Sequence, residues 1–189
     1  MALADRQVVL VSGMPGAGKT SLAAPLAAEL GFALLGKDSL KETLHDALGG
    51  PAADPEWSRR LGAASMELLW ALAAGIPAVV LEANFRPRHD YERRRIRALG
   101  GRVVEVNCVC PAGVAARRYA ERAVTCRHAV HAIASLMPED LAEYDRPVGI
   151  GELISVDTTV PVSVPALARE VRARLAAQGD FAHLSVSPA

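Results

Sequence analysis

The chain predicts an α/β fold, a doubly wound parallel sheet of about five strands with helices on both faces. Three observations carry this. Short β-branched apolar runs, Gln7–Ser12, Ala78–Leu81 and Arg102–Cys108, read as strands buried on both faces. Segments with helical periodicity alternate with them, which calls for right-handed crossovers between parallel strands. No internal repeat or low-complexity linker interrupts the order, so one domain is expected over residues 1–178, with a tail over 179–189.

Taken in order, Gln7–Ser12 is the central strand, and it ends at Gly13. From Gly18 to Leu30 the residues Leu22, Leu26 and Leu30 recur on one helical face, and Gly31 follows as the stop. Pro25 should bend that helix by removing one backbone hydrogen bond. Phe32–Gly36 reads as a second strand, and Asp38-Ser39 opens a helix that stops at Gly49-Gly50-Pro51. A longer helix over Glu56–Ala74 closes at Gly75-Ile76-Pro77 and leads into the strand Ala78–Leu81, which ends on Glu82. Arg88–Leu99 is a basic, exposed helix before the strand Arg102–Cys108. Pro111 starts a helix to about Ala123, and the weak periodicity of Val124–Pro138 suggests a flap; together residues 111–137 form a candidate lid. Leu153–Val156 is the last strand and Pro165–Ala177 the last helix.

Composition removes several classes of function. Lysine and arginine number 21 against 21 aspartate and glutamate, so no global field draws the chain to nucleic acid or membrane. Aromatic residues are 4% of the chain, too few for a base-stacking platform. No run approaches the ~20 apolar residues of a membrane helix. The start of the chain lacks the features of a secretory leader, and three cysteines, Cys108, Cys110 and Cys126, suit a reducing compartment; a cytoplasmic location is expected. Composition does not reach the oligomeric state.

One motif is specific. Gly13-Met14-Pro15-Gly16-Ala17-Gly18-Lys19-Thr20 fits G-x-x-x-x-G-K-[ST] in full, between a strand and a helix, and Ser21 continues it into the helix. Its glycines let successive backbone N–H groups point at phosphate oxygens, and the helix presents its positive end to the same anion. Lys19 is expected on the β and γ phosphates and the Thr20 hydroxyl on Mg²⁺, with ATP as the nucleotide because no Asn-Lys-x-Asp segment favours guanine.

Other residues bear on what the nucleotide is used for. Asp38 follows the second strand at the carboxyl edge of the sheet, where it either accepts a proton from an acceptor hydroxyl or simply caps the next helix. Glu82, at the tip of a strand, is either a carboxylate orienting the magnesium shell or solvated surface. Asn84, Phe85, Arg86 and Arg88 follow it and are candidates to shape an acceptor pocket. Arg118 and Arg122 share a helix face, Arg117 points away, and Arg127 lies beyond; these guanidinium groups either close over a triphosphate or form a solvated basic face. Cys126, His128 and His131 do not make a common closed zinc pattern.

In combination the chain resembles the P-loop small-molecule kinases of the predicted AAA-type kinase family, with relatives among chloramphenicol phosphotransferase-like, zeta-toxin-like and polynucleotide kinase domains. The resemblance rests on Gly13–Thr20, Gly36-Lys37-Asp38-Ser39-Leu40, Leu81-Glu82-Ala83-Asn84-Phe85, Cys110-Pro111, Arg118 to Arg122, Arg127-His128 with His131, and Val156-Asp157-Thr158-Thr159. It implies that Asp38 is the base for the acceptor hydroxyl, that Arg118 and Arg122 belong to a lid, and that Thr158 lies near the nucleotide base. The expected activity is ATP- and Mg²⁺-dependent phosphorylation of a hydroxyl on a small metabolite, sugar, nucleoside or antibiotic. A polynucleotide 5′-hydroxyl kinase and a nucleotide-regulated binding protein without an acceptor are the alternatives.

Overall fold

The computed structural model describes residues 6–52, 54–125, 128–131 and 141–182, with the side chains of 179–182 left aside. Cys126, Arg127, the expected flap from 132 to 138 and the tail from residue 183 lie outside the described residues. Five parallel strands, β1 (Gln7–Ser12), β2 (Ala33–Gly36), β3 (Ala78–Glu82), β4 (Arg102–Val109) and β5 (Glu152–Asp157), form one sheet in the order β2-β3-β1-β4-β5. The strand that precedes the glycine-rich turn is central, as its unbroken apolar run requires: Val8, Val9, Leu10 and Val11 are all fully buried.

The two faces of the sheet carry separate helical layers. On one, α1 (Lys19–Leu30) and α6 (Val164–Ala182) pack Leu22, Leu26, Val171 and Leu175 onto Val9, Val11, Val104 and Val106. On the other, α3 (Pro55–Ala73) and α4 (Asp90–Leu99) bring Leu69, Trp70, Ile96 and Leu99 onto Val8, Leu10, Val79 and Leu81. The remaining helices, α2 (Lys37–Leu48) and α5 (Ala112–Thr125), stand beside the carboxyl edge of the sheet, following β2 and β4. No described helix is long and apolar enough to cross a membrane.

Several sequence expectations change. Pro25 sits inside α1 on its exposed face, and Ser21, four residues earlier, is exposed too, so the carbonyl left without its helical partner lies on the solvent side. The last helix runs through Gly179 to Ala182 instead of giving way to a tail at 179. The basic helix begins at Asp90 and is not uniformly exposed, since Glu92, Ile96 and Leu99 are buried. Phe85 is core: it is 2% exposed and its ring lies 5.8 Å from that of Trp70.

Two buried carboxylates organise the loops at the carboxyl edge. Glu105, 1% exposed within β4, accepts hydrogen bonds from the Ser12 hydroxyl at 2.6 Å and from the backbone N–H groups of Val148 and Gly149 at 2.8 and 2.9 Å. It therefore ties the end of the central strand to the chain entering β5. Glu92 in α4 accepts from the Arg86 backbone N–H and so fixes the loop that leaves β3. Burial, with Glu143 adding to it, pushes the Glu92 carboxyl up to about 7 against the pull of that bond and of the Arg86 charge.

This shift has a definite sign. A carboxylate whose folded pKa exceeds its unfolded value is costly when charged, so its contribution favours folding below about pH 4.5 and that advantage is lost as pH rises through 7. Glu92→Gln keeps an acceptor for the Arg86 N–H without the charge. Urea titrations at pH 5 and pH 8 should show the variant gaining up to ~3 kcal/mol relative to the wild type between the two pH values; parallel stabilities at both would mean that Glu92 carries no such shift.

Candidate active site

The turn between β1 and α1 is shaped by residues that lack a β-carbon. Gly13 and Gly16 have φ of 129° and 83°. A β-carbon on Gly16 would stand 2.1 Å from the Ala115 carbonyl oxygen, and one on Gly13 would stand 2.4 Å from that of Cys108. Only glycine lets the loop lie so close to α5 and β4. Gly18, the N-cap of α1, is also left-handed, and no side chain caps this helix end. Its first amides therefore keep free donors beside the cavity, the arrangement that receives an anion.

That cavity, about 300 Å³, is lined from three sides: Pro15, Gly16, Gly18, Lys19, Thr20 and Ser21 from the turn, Asp38, Glu82 and Asn84 from the strand ends, and Arg118, Glu121, Arg122 and Thr125 from α5. The other turn residues do not line it. Gly13 lies against Cys108, Met14 packs on the core, and the Ala17 carbonyl accepts a bond from the Thr158 hydroxyl at 2.8 Å. Thr158 is likewise behind the cavity: its own carbonyl accepts from Arg118 at 2.9 Å, and its hydroxyl is within 3.5 Å of the same guanidinium. Arg118 is thus braced to the loop after β5, while Arg122 reaches the cavity with its guanidinium 5.8 Å from the Tyr119 ring centre. Arg117 is exposed and faces Glu121 at 3.8 Å.

Charges in the site hold one another. Lys19 is 6% exposed and donates to the Met14 carbonyl at 2.9 Å. Burial draws its ammonium down to about 8, against the opposing pull of Glu82 and smaller contributions from Cys108 and Asp38. Glu82 accepts from the Thr20 hydroxyl at 3.3 Å, and its carboxyl is raised by burial and by Asp38 although Lys19 works the other way. Asp38 forms an ion pair with Lys37 at 3.1 Å. Burial works to raise its carboxyl, but Lys37, His131 and Arg122 together outweigh it and hold the group below the usual carboxylate range. Asp38 is not a helix cap: α2 starts at Lys37 with Gly36 as its N-cap and no capping side chain.

A family model described as an AAA domain matches residues 8–147. The chain belongs to that family. A candidate kinase from Chloroflexus aurantiacus is 31% identical with a TM-score of 0.79, the match covering 90% of this chain and 99% of that one. A gluconokinase from Sinorhizobium meliloti (19% identity, TM-score 0.54, 97% and 99% covered) and the APS kinase CysC of Mycobacterium tuberculosis in complex with AMPPNP and APS (23%, 0.52, 92% and 99%) share the fold. A sequence search of curated proteins finds no match. This AAA-domain chain has the P-loop kinase fold.

Within that fold some functional candidates from sequence stand together and others do not. Lys19, Thr20, Ser21, Asp38, Glu82, Asn84, Arg118 and Arg122 share the cavity. Arg86 and Arg88 leave it and face Glu143 at 3.6 Å and Asp145 at 2.7 Å. His128 and His131 pair with Asp46 at 3.1 Å and Glu42 at 2.8 Å on α2, and among the described residues no three or more His, Cys, Asp or Glu side chains cluster as a metal site. Burial pushes the Cys108 thiol up to about 12, which keeps it protonated and poor as a ligand. Sequence reading overlooked Glu121 and Thr125 as cavity residues, whose only signal is their position three residues after Arg118 and Arg122 on α5.

A buried ammonium drawn down to about 8 costs stability below that pH, and the cost is released as pH rises from 8 towards the unfolded value of 10.5. Lys19→Met removes the charge and keeps the apolar stem. Without ligand at pH 7 the variant should melt above the wild type, by the few degrees that ~1 kcal/mol gives a chain of this size, with the gap closing above pH 8. A lower melting temperature would mean that the bonds of Lys19 outweigh its desolvation.

Proposed function

We propose that the chain transfers the γ-phosphoryl group of ATP to a hydroxyl of a small molecule. The observation that carries this reading is the convergence, on one cavity, of an uncapped helix N-terminus, the Lys19 ammonium and the Asp38 carboxylate. A switch or binding protein needs the first two, but it has no use for a carboxylate held ionised on the far wall. The small-molecule kinases among the structural neighbours support the reading through their shared fold.

The residues fit a nucleotide with its magnesium ion. Turn amides and Lys19 would hold the β and γ phosphates, the ammonium exchanging the Met14 carbonyl for phosphate oxygen. Thr20 and Glu82, already 3.3 Å apart, would hold Mg²⁺, their oxygens directly or through water. When bound, the ion would neutralise charge developing on the β and γ phosphates. The acceptor oxygen forms its bond to the γ phosphorus as the bond to the β–γ bridging oxygen breaks, and the acceptor proton passes to Asp38. Arg122 would lie along charge spread over the transferring group. Arg118 would act at the nucleotide's other side, beside Thr158.

Two outcomes test the assignment. A screen of hydroxyl compounds with ATP and Mg²⁺, followed by ADP release and product mass, should find an acceptor that accelerates ADP release; hydrolysis that ignores every compound would favour the binding-protein alternative. With that acceptor, Asp38→Asn should reduce transfer by about 10²-fold, the lower end of general base assistance, because a carboxylate held below its ordinary range is a weak base. ATP affinity should change little. Arg122→Ala should lower kcat more than ATP affinity, and undiminished transfer in either variant would remove that residue from the mechanism.

A further inference from the structure

Beside Asp38, two lysines stand one turn apart on α2 and face α3. Lys41 is 6% exposed and its ammonium donates to the Ser58 hydroxyl at 2.6 Å. Among the described residues it has no carboxylate within ion-pair distance. Lys37 has Asp38 at 3.1 Å. Opposite Lys37, one helical turn on from Ser58, α3 carries Gly62, where an added β-carbon would meet only the Lys37 ammonium, at 4.0 Å. Gly62 thus leaves room beside the Lys37 ammonium, with two cations and one hydroxyl in reach and the carboxylates Asp38 and Glu42 near enough to act on Lys41.

Like charges at this spacing repel. Burial and the charge of Lys37 draw the Lys41 ammonium down to about 8, against the pull of Asp38 and Glu42. The interior of a helix pair gains nothing from such an arrangement unless an anion joins it, since a neutral residue at position 41 would pack without the desolvation cost. Asp38 links this slot to the cavity, because it lines the cavity and pairs with Lys37.

We propose that the Lys37 and Lys41 ammonium groups, with the Ser58 hydroxyl, receive an anionic group of the phosphate acceptor, which is therefore a hydroxy acid or a hydroxyl-bearing phosphate ester and not a neutral alcohol. This rests on the transferase reading given above. Binding there has a consequence for Asp38: an anion that draws Lys37 towards itself weakens the pair holding the Asp38 carboxylate, and so makes it more basic when an acceptor is present. Carboxylate and phosphate ester share this chemistry, and their relative use separates them.

The slot is tested first by binding. The full chain is saturated with AMPPNP and Mg²⁺ to occupy the glycine-rich turn, and inorganic sulfate is titrated against tryptophan fluorescence, with Trp57 adjacent to Ser58 in α3. Saturable binding should weaken by about tenfold or more in Lys37→Gln and in Lys41→Gln, the loss expected for a charge-assisted bond. Gly62→Leu should weaken it too, with both charges retained. Ser58→Ala, which removes one hydroxyl donor and no charge, should weaken it less than either lysine variant. Melting temperature and AMPPNP affinity serve as folding controls, and Lys41→Met is the second variant should Lys41→Gln unfold. Absence of saturable sulfate binding, or binding that all of these lysine variants retain, overturns the slot. Acceptor use is read next, on matched sets of a polyol, its acid and its phosphate ester. One anionic member should be phosphorylated best, and Lys41→Gln should lower its kcat/KM by about tenfold or more. Preferred turnover of the neutral member overturns this proposal and leaves the kinase reading in place. Sulfate binding without turnover of any hydroxyl compound overturns both the kinase reading and the acceptor role, and leaves only an anion site.

Discussion

A lysine ammonium cannot be kept in a protein interior without compensation, and much of this site follows from the position of Lys19. It is held at the first turn of α1 by the core packing of Leu22 and Leu26 below it, and its tip is turned back on the Met14 carbonyl. Glu82 and Asp38 stand near enough to stabilise its charge; Glu82 is nonetheless raised by its own burial, and Asp38 is lowered by Lys37, His131 and Arg122. The result is a charged centre in which Lys19 donates to the Met14 carbonyl, an acceptor that phosphate oxygen can replace. Nothing in the apolar layers asks for these charges, so their cost is best understood as the cost of a site that binds an anion.

The helix α2 connects the parts of that site. Its first turn places Asp38 on the cavity and Lys37 beside it. One lateral face meets α3 through Lys41 and Ser58, and Trp57 of α3 donates to His45 at 3.2 Å. Another carries Glu42 and Asp46, four residues apart, which meet His131 and His128 from the chain beyond α5. Asp38 on the cavity, the lysines facing α3 and the carboxylates that meet the histidines are therefore carried on one helix. A shift of α2 would be felt by Asp38, by the lysine pair and by the histidine contacts together.

The legible parts of the sequence were those governed by local rules. The apolar runs and helical repeats depend on periods of two and 3.6 residues, and five strands and the order of helices followed from them. The glycine-rich turn was legible because its chemistry needs consecutive residues. Glu105 was not, although an acid inside Val103-Val104-Glu105-Val106 is an anomaly that could have drawn notice; its partners at Ser12, Val148 and Gly149 are distant in sequence. Phe85 reads from the sequence as a candidate pocket residue because it follows Glu82 in a loop, but loop position does not decide burial, and its ring packs beside that of Trp70. Asp38 at the start of a helix resembles a cap, yet the backbone enters α2 one residue earlier, so its carboxylate is aimed elsewhere. Pairing of charges across elements has no local signature, and that is why the lysine slot on α2 escaped the sequence pattern.

The ionised state of Asp38 also constrains the chemistry. A general base works best when its pKa lies near the working pH, and Asp38 is held on the acidic side of its ordinary value by Lys37, His131 and Arg122. If the transition state is loose, the acceptor oxygen keeps its proton until the bond to phosphorus is well advanced, and little basicity is needed early. A carboxylate that is always charged then orients the hydroxyl throughout and accepts the proton late, when the oxygen has become strongly acidic. On the transferase reading proposed above, Lys37, by keeping Asp38 charged, would favour orientation over basicity, and an anion competing with Asp38 for Lys37 would shift that balance.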